Sequence, residues 1–124
     1  MDEAARMAII QQTLDDLVAS DRIVGCAVIT LDGFVVAVAA NPAFISQVGD
    51  VGARLHGIGQ RASVALELGE VEEHVVVGQR GTVMIRPLDR REMIVVVAAE
   101  GAPLGWVRVF AEKASVTLRA GTAG

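Results

Sequence analysis

Two apolar runs joined by an Asp-Gly pair constrain this chain more than any other feature: Cys26 to Leu31 and Phe34 to Ala40 flank Asp32-Gly33. An Asp-Gly pair tolerates the positive φ of a tight turn, so the two runs are predicted to pair as an antiparallel hairpin. The second run carries no polar residue. A half-exposed strand alternates, so such a run implies cover on both faces, and helices on both sides of a sheet are expected. Hydrophobic residues make up 52% of the chain and aromatic ones only 3%, so this core has to be assembled from Val, Ile, Leu and Ala.

Ahead of the hairpin, Met7, Ile10, Leu14, Leu17 and Val18 recur at three- and four-residue steps and predict an amphipathic first helix. Behind it, Asn41-Pro42 ends the strand, because Pro lacks the ladder donor and drives the preceding residue out of helical geometry. Helical spacing returns from about Phe44 to Leu68, with Val48, Val51, Leu55, Ile58 and Ala62 expected to face the sheet and Gly69 expected as the C-cap. This helix contains Gly49, Gly52, Gly57 and Gly59. Each costs about 1 kcal/mol relative to Ala, so packing must compensate, against either a neighbouring element or a second copy of the helix. Three further strands are predicted. Glu73 to Gln79 has polar ends, Thr82 to Leu88 follows the Arg80-Gly81 turn, and the wholly apolar Met93 to Ala99 belongs in the middle of the sheet. Leu104, Val107, Ala111, Ala114 and Leu118 mark a last helix. The predicted fold is therefore α/β, a five-stranded antiparallel sheet between helices in the order α-β-β-α-β-β-β-α, within one domain over residues 1–124 and a core over about 7–118.

The composition excludes several classes. The longest apolar run is far short of the roughly 20 residues that span a bilayer, and the acidic start does not resemble a secretory leader, so a cytoplasmic protein without membrane insertion is expected. The lone Cys26 cannot form an intrachain disulfide. A net charge of −4 with scattered basic residues offers no phosphate track, and no nucleic-acid partner is expected. Gly52 and Gly57 have the outer spacing of a phosphate loop, but Ile58-Gly59 stand where Lys and Ser/Thr would hold phosphate and magnesium. Gly57 to Ala62 nominally fits a dinucleotide fingerprint, yet it lies inside a predicted helix and not at a strand-to-helix turn. Cys26 with His56 or His74 as base is outweighed by the reading of Cys26 as a small buried hydrophobe, and neither histidine has metal-ligand spacing. The carboxylates fall on turns and solvated helix faces, and Trp106 with Phe110 is expected to anchor the last helix. No enzyme, cofactor or metal centre is expected.

In their order, these residues resemble the roadblock/dynein light chain domain, of roadblock/profilin-like fold. Leu14 and Leu17 are followed by Val24-Gly25-Cys26-Ala27-Val28-Ile29, then Leu31-Asp32-Gly33 and Val36-Ala37, then Leu68-Gly69-Glu70, Gly81-Thr82-Val83 and the Met93 strand with Gly105. The resemblance covers about residues 7–118 and rests on order and spacing, not on one motif. It implies a non-enzymatic homodimer or heterodimer that regulates or scaffolds a Ras-like small GTPase. A purely structural dimerisation module and a small-ligand sensor are the rival classes.

Two surfaces follow as expectations. The strand around Val75, Val76 and Val77, as a sheet edge with an apolar centre, is expected to join a second copy together with Gly52 and Gly59 of the second helix. Arg54 and Arg61, two turns apart on one stripe, are expected with Gln60 to receive a protein partner, because the planar guanidinium pairs bidentately with carboxylates.

Overall fold

Asp2 caps the first helix: its side chain accepts a hydrogen bond from the Ala5 backbone N–H at 2.7 Å, which satisfies one of the donors a helix start leaves open. From there the structure, a computed structural model, describes residues 2–40 and 42–122. The elements are α1 (Glu3–Val18), β1 (Ile23–Thr30), β2 (Val35–Ala40), α2 (Pro42–Ala65), β3 (His74–Gly78), β4 (Gly81–Pro87), β5 (Glu92–Ala99) and α3 (Leu104–Thr122). Their order is the expected one. Asn41 lies outside the described residues.

One five-stranded sheet forms in the order β2-β1-β5-β4-β3, and all of its pairings are antiparallel. The apolar β5 is central, as its composition predicts. The Asp32-Gly33 turn closes as expected, with Gly33 at φ 96° and its N–H bonded to the Thr30 carbonyl at 3.0 Å. Strand alternation sorts the core into two halves. Cys26, Val28, Met84, Ile94 and Val96 pack with α1 and α3 on one face, and Ala27, Ile29, Ile85, Met93 and Val95 pack with Val48 of α2 on the other. The wholly apolar β2 does contact helices on both sides, yet it is an edge strand and only partly buried.

The packing of α2 corrects the periodicity reading. Val51 and Ile58, expected against the sheet, are 40% and 59% exposed, whereas Val48, Gly49, Gly52 and Ser63 are buried. The glycines let the helix axis approach the sheet closely. A Cβ at Gly49 would lie 2.1 Å from the Gly33 carbonyl oxygen, one at Gly52 2.3 Å from Ile29 Cδ1, and one at Gly59 2.3 Å from the His74 ring. Gly52 and Gly59, expected at a self-interface, thus stand against Ile29 and His74 of the chain's own sheet. The helix end also differs. Glu67 takes the left-handed conformation at φ 58°, with its N–H on the Val64 carbonyl and the Leu68 N–H on the Ser63 carbonyl, a Schellman cap that precedes Gly69.

Among the described residues no helix is long and apolar enough to cross a membrane.

Candidate interaction surface

The two edges of the sheet are finished differently. At β2 the Gln11 side chain of α1 donates from Nε2 to the Val38 carbonyl at 2.9 Å, occupying a backbone acceptor that another strand would need. Among the described residues β3 has no such side-chain cap. Its residues alternate: Val75 packs with the α1/α3 core, while Val76, on the α2 side, is 45% exposed and Val77 is 68% exposed. Of the three valines expected at a self-interface, the structure leaves two uncovered and gives the first to the core.

The outward flank of α2 continues this surface. Val51 and Ile58, with the exposed Ala62 and Ala65, form an apolar stripe, and Leu66 beyond the helix is 68% exposed. Arg54 and Arg61 border the stripe two turns apart, as their spacing predicts. Arg54 Nε donates to Asp50 Oδ1 at 3.0 Å on the exposed surface, a pair worth little in water. Gln60 sits deeper, with its Nε2 3.4 Å from Glu70 Oε2.

At the start of β3, Glu73 ties the edge strand to the rest of the fold. It accepts from Arg86 Nη1 of β4 at 2.9 Å and, bidentately, from Arg108 of α3, Nε to Oε1 at 3.1 Å and Nη2 to Oε2 at 2.8 Å. The Arg108 hydrogen bonds, outweighing the opposing effect of burial, hold the Glu73 carboxyl below its ordinary value of 4.5. A depressed carboxylate pKa gives stability that is present above 4.5 and lost as pH falls through the folded value. Glu73→Gln is therefore expected to destabilise the protein by about 1–2 kcal/mol at neutral pH. In urea unfolding the deficit should shrink toward zero on acidification below the ordinary carboxylate range.

Cys26 and the Trp106–Phe110 pair take the places that their residue types predict. Cys26 is buried, its Sγ donates to the Leu14 carbonyl at 3.4 Å, and burial, with a smaller effect of Asp15, pushes its thiol up to about 12, so it is no thiolate. Trp106 lies 4.3 Å from Phe110 between ring centroids, both half-buried on the α1/α3 core, with Arg22 over the indole at 5.2 Å. Spacing alone missed one juxtaposition. His56 of α2 and His74 of β3 meet, His56 Nδ1 to His74 Nε2 at 3.1 Å with their rings edge to face. Among the described residues no group of three or more His, Cys, Asp or Glu side chains could hold a metal ion.

Helices α1 and α3 on one face of an antiparallel sheet, α2 alone on the other, and one open edge define a three-layer α/β domain. The family model of the Roadblock/LC7 domain matches residues 9–98, and the chain belongs to that family. No curated protein matches it. Among solved structures, the gliding protein MglB from Thermus thermophilus is similar at a TM-score of 0.83 and 22% identity, covering 94% of this chain and 90% of that one. An MglB with a tetrameric arrangement is similar at 0.82 and 21%, covering 98% and 92%. Profilin II of Acanthamoeba castellanii shares the fold more distantly, at 0.53 and 17%, covering 89% and 96%.

Proposed function

We propose that this chain is a non-enzymatic homodimeric interaction protein that regulates or scaffolds a Ras-like small GTPase. One observation carries the reading: α2 by itself covers one face of a five-stranded sheet and leaves an apolar strip beside an open edge. Five strands span roughly 24 Å at about 4.8 Å each, whereas a helix with its side chains is about 10–12 Å across. Two helices suffice for the opposite face; one does not for this face. A second copy joined at β3 would extend the sheet across both chains and bring the two α2 stripes together.

Membership of the Roadblock/LC7 family supports the choice of partner, and the similar MglB solved as a tetrameric arrangement supports self-association. In a dimer the Arg54 and Arg61 flanks are duplicated about the two-fold axis, giving a basic border on a chain of net charge −4. A single acidic partner surface could span it. The test pairs the purified chain with the Ras-like small GTPases of its own genome, reading binding by calorimetry and GTP hydrolysis by phosphate release. One of them should bind in one nucleotide state, and Arg54→Glu with Arg61→Glu should weaken that binding by at least ~30-fold while the chain remains dimeric. Absence of binding to every such GTPase, or an undiminished affinity and salt dependence in the double variant, contradicts the reading.

A further inference from the structure

The His56–His74 contact is the one titratable pair among the described residues that bridges α2 and β3, the two elements that carry the proposed self-interface, and no part of the proposed activity uses it. We infer that this pair makes self-association acid-labile: with both rings protonated the contact opens, α2 and β3 lose their fixed relative position, and the dimer weakens. The inference rests on the dimer reading above.

The geometry supplies the sign. With the rings neutral, one donates an N–H to the lone pair of the other across 3.1 Å. A first proton can settle on the distal nitrogen of the donor ring and leave that bond intact. A second proton sets two N–H groups and two positive charges against each other, and the bond is lost. On one side the His74 ring already stands against α2, where a Cβ on Gly59 would lie 2.3 Å from it. Burial, and secondarily the charge of His56, holds His74 below its ordinary 6.5. Such a group contributes stability that is complete above about 6.5 and lost as pH falls below it.

Among the described residues no carboxylate forms an ion pair with either ring. Glu70, in the loop ahead of β3, lines the clefts on both sides of it but already lies near Gln60. Glu72 and Glu73 lie on the His74 side, where Glu73 is taken up by Arg86 and Arg108. On the His56 side the β4–β5 turn presents Asp89 and Arg90, which oppose each other in sign.

The test is sedimentation equilibrium of the full chain at about pH 7.5 and 5.5. The dimer dissociation constant of the unaltered protein is expected to rise at least ~10-fold at the lower pH, and that of His56→Gln and His74→Gln by less than about twofold. A dimer whose constant does not move with pH, or glutamine variants that keep the whole dependence, overturns the inference alone. A monomer at pH 7.5 overturns the dimer reading, and the inference with it. Because glutamine could disturb the Gly59 contact, an NMR titration of the unaltered protein provides the second measurement. One imidazole should titrate below the ordinary range near 6.5, with the Val76 amide shifting in step. Two independent titrations near 6.5 with an unmoved Val76 amide would overturn the inference as well.

Discussion

Gly49→Ala is expected to destabilise the fold by at least ~3 kcal/mol, the largest effect of any single methyl group added to α2. The added Cβ would lie 2.1 Å from the Gly33 carbonyl oxygen and 3.1 Å from its carbon. Both are backbone atoms of the β1–β2 turn, where Gly33 itself holds a positive φ of 96°. No rotamer change relieves such a contact, so α2 has to lift from the hairpin and surrender part of the burial of Val48 and Gly52. Gly57→Ala supplies the control. Nothing stands within 4 Å of its added methyl group, and the exchange should stabilise the helix by up to ~1 kcal/mol. Urea unfolding at fixed protein concentration checks both, and the urea midpoint should fall by about 1–2 M for the first and rise for the second, at unchanged slope. Equal responses would mean that the close approach of α2 to the β1–β2 turn is wrong.

Val76→Asp has the second large consequence, and it falls on assembly instead of folding. In the single chain Val76 is 45% exposed, so a carboxylate there can reach water and the fold should survive with unchanged circular dichroism. Across a two-fold axis at β3 the same substitution sets two unpaired anions in an apolar seam. The dimer dissociation constant is expected to rise at least ~100-fold, in line with the several kcal/mol that an uncompensated buried charge costs. Phe34→Asp is the matching control at the opposite end of the sheet. Phe34 is 71% exposed beside the β1–β2 turn, outside the proposed seam, and the constant should not change. Dissociation constants from sedimentation decide between these outcomes, and an unmoved constant in Val76→Asp would place the self-interface on another surface.

How far these features could be read from the sequence depended on how local their causes are. The Asp32-Gly33 turn, the placement of β5 at the centre and the open edge at β3 follow from residue types and strand patterning within a few positions. The face of α2 did not. Periodicity assumes that the apolar stripe faces inward, but here Gly49, Gly52 and Gly59 turn toward the sheet because only they allow the helix to come so near. Val51 and Ile58 are left outside, and the residues expected at a self-interface are therefore only partly the exposed ones. The cap at Glu67 was hidden because an αL residue other than glycine has no sequence mark. The Glu73 cluster and the His56–His74 contact join residues from separate elements, so their spacing along the chain holds no sign of them.

The central claim is that a second copy covers the β3 edge, and amide hydrogen exchange of Val75, Val76 and Val77 at two protein concentrations tests it most directly. An edge strand bonded on one side only leaves outward amides open to water, whereas a strand paired on both sides protects every one of them. At concentrations well above the dissociation constant all three amides are expected to exchange slowly. Upon dilution below that constant, those that point away from β4 should accelerate by at least ~100-fold while the buried β5 amides of Ile94 to Val96 stay protected. Outward β3 amides that exchange rapidly at every concentration would contradict the account.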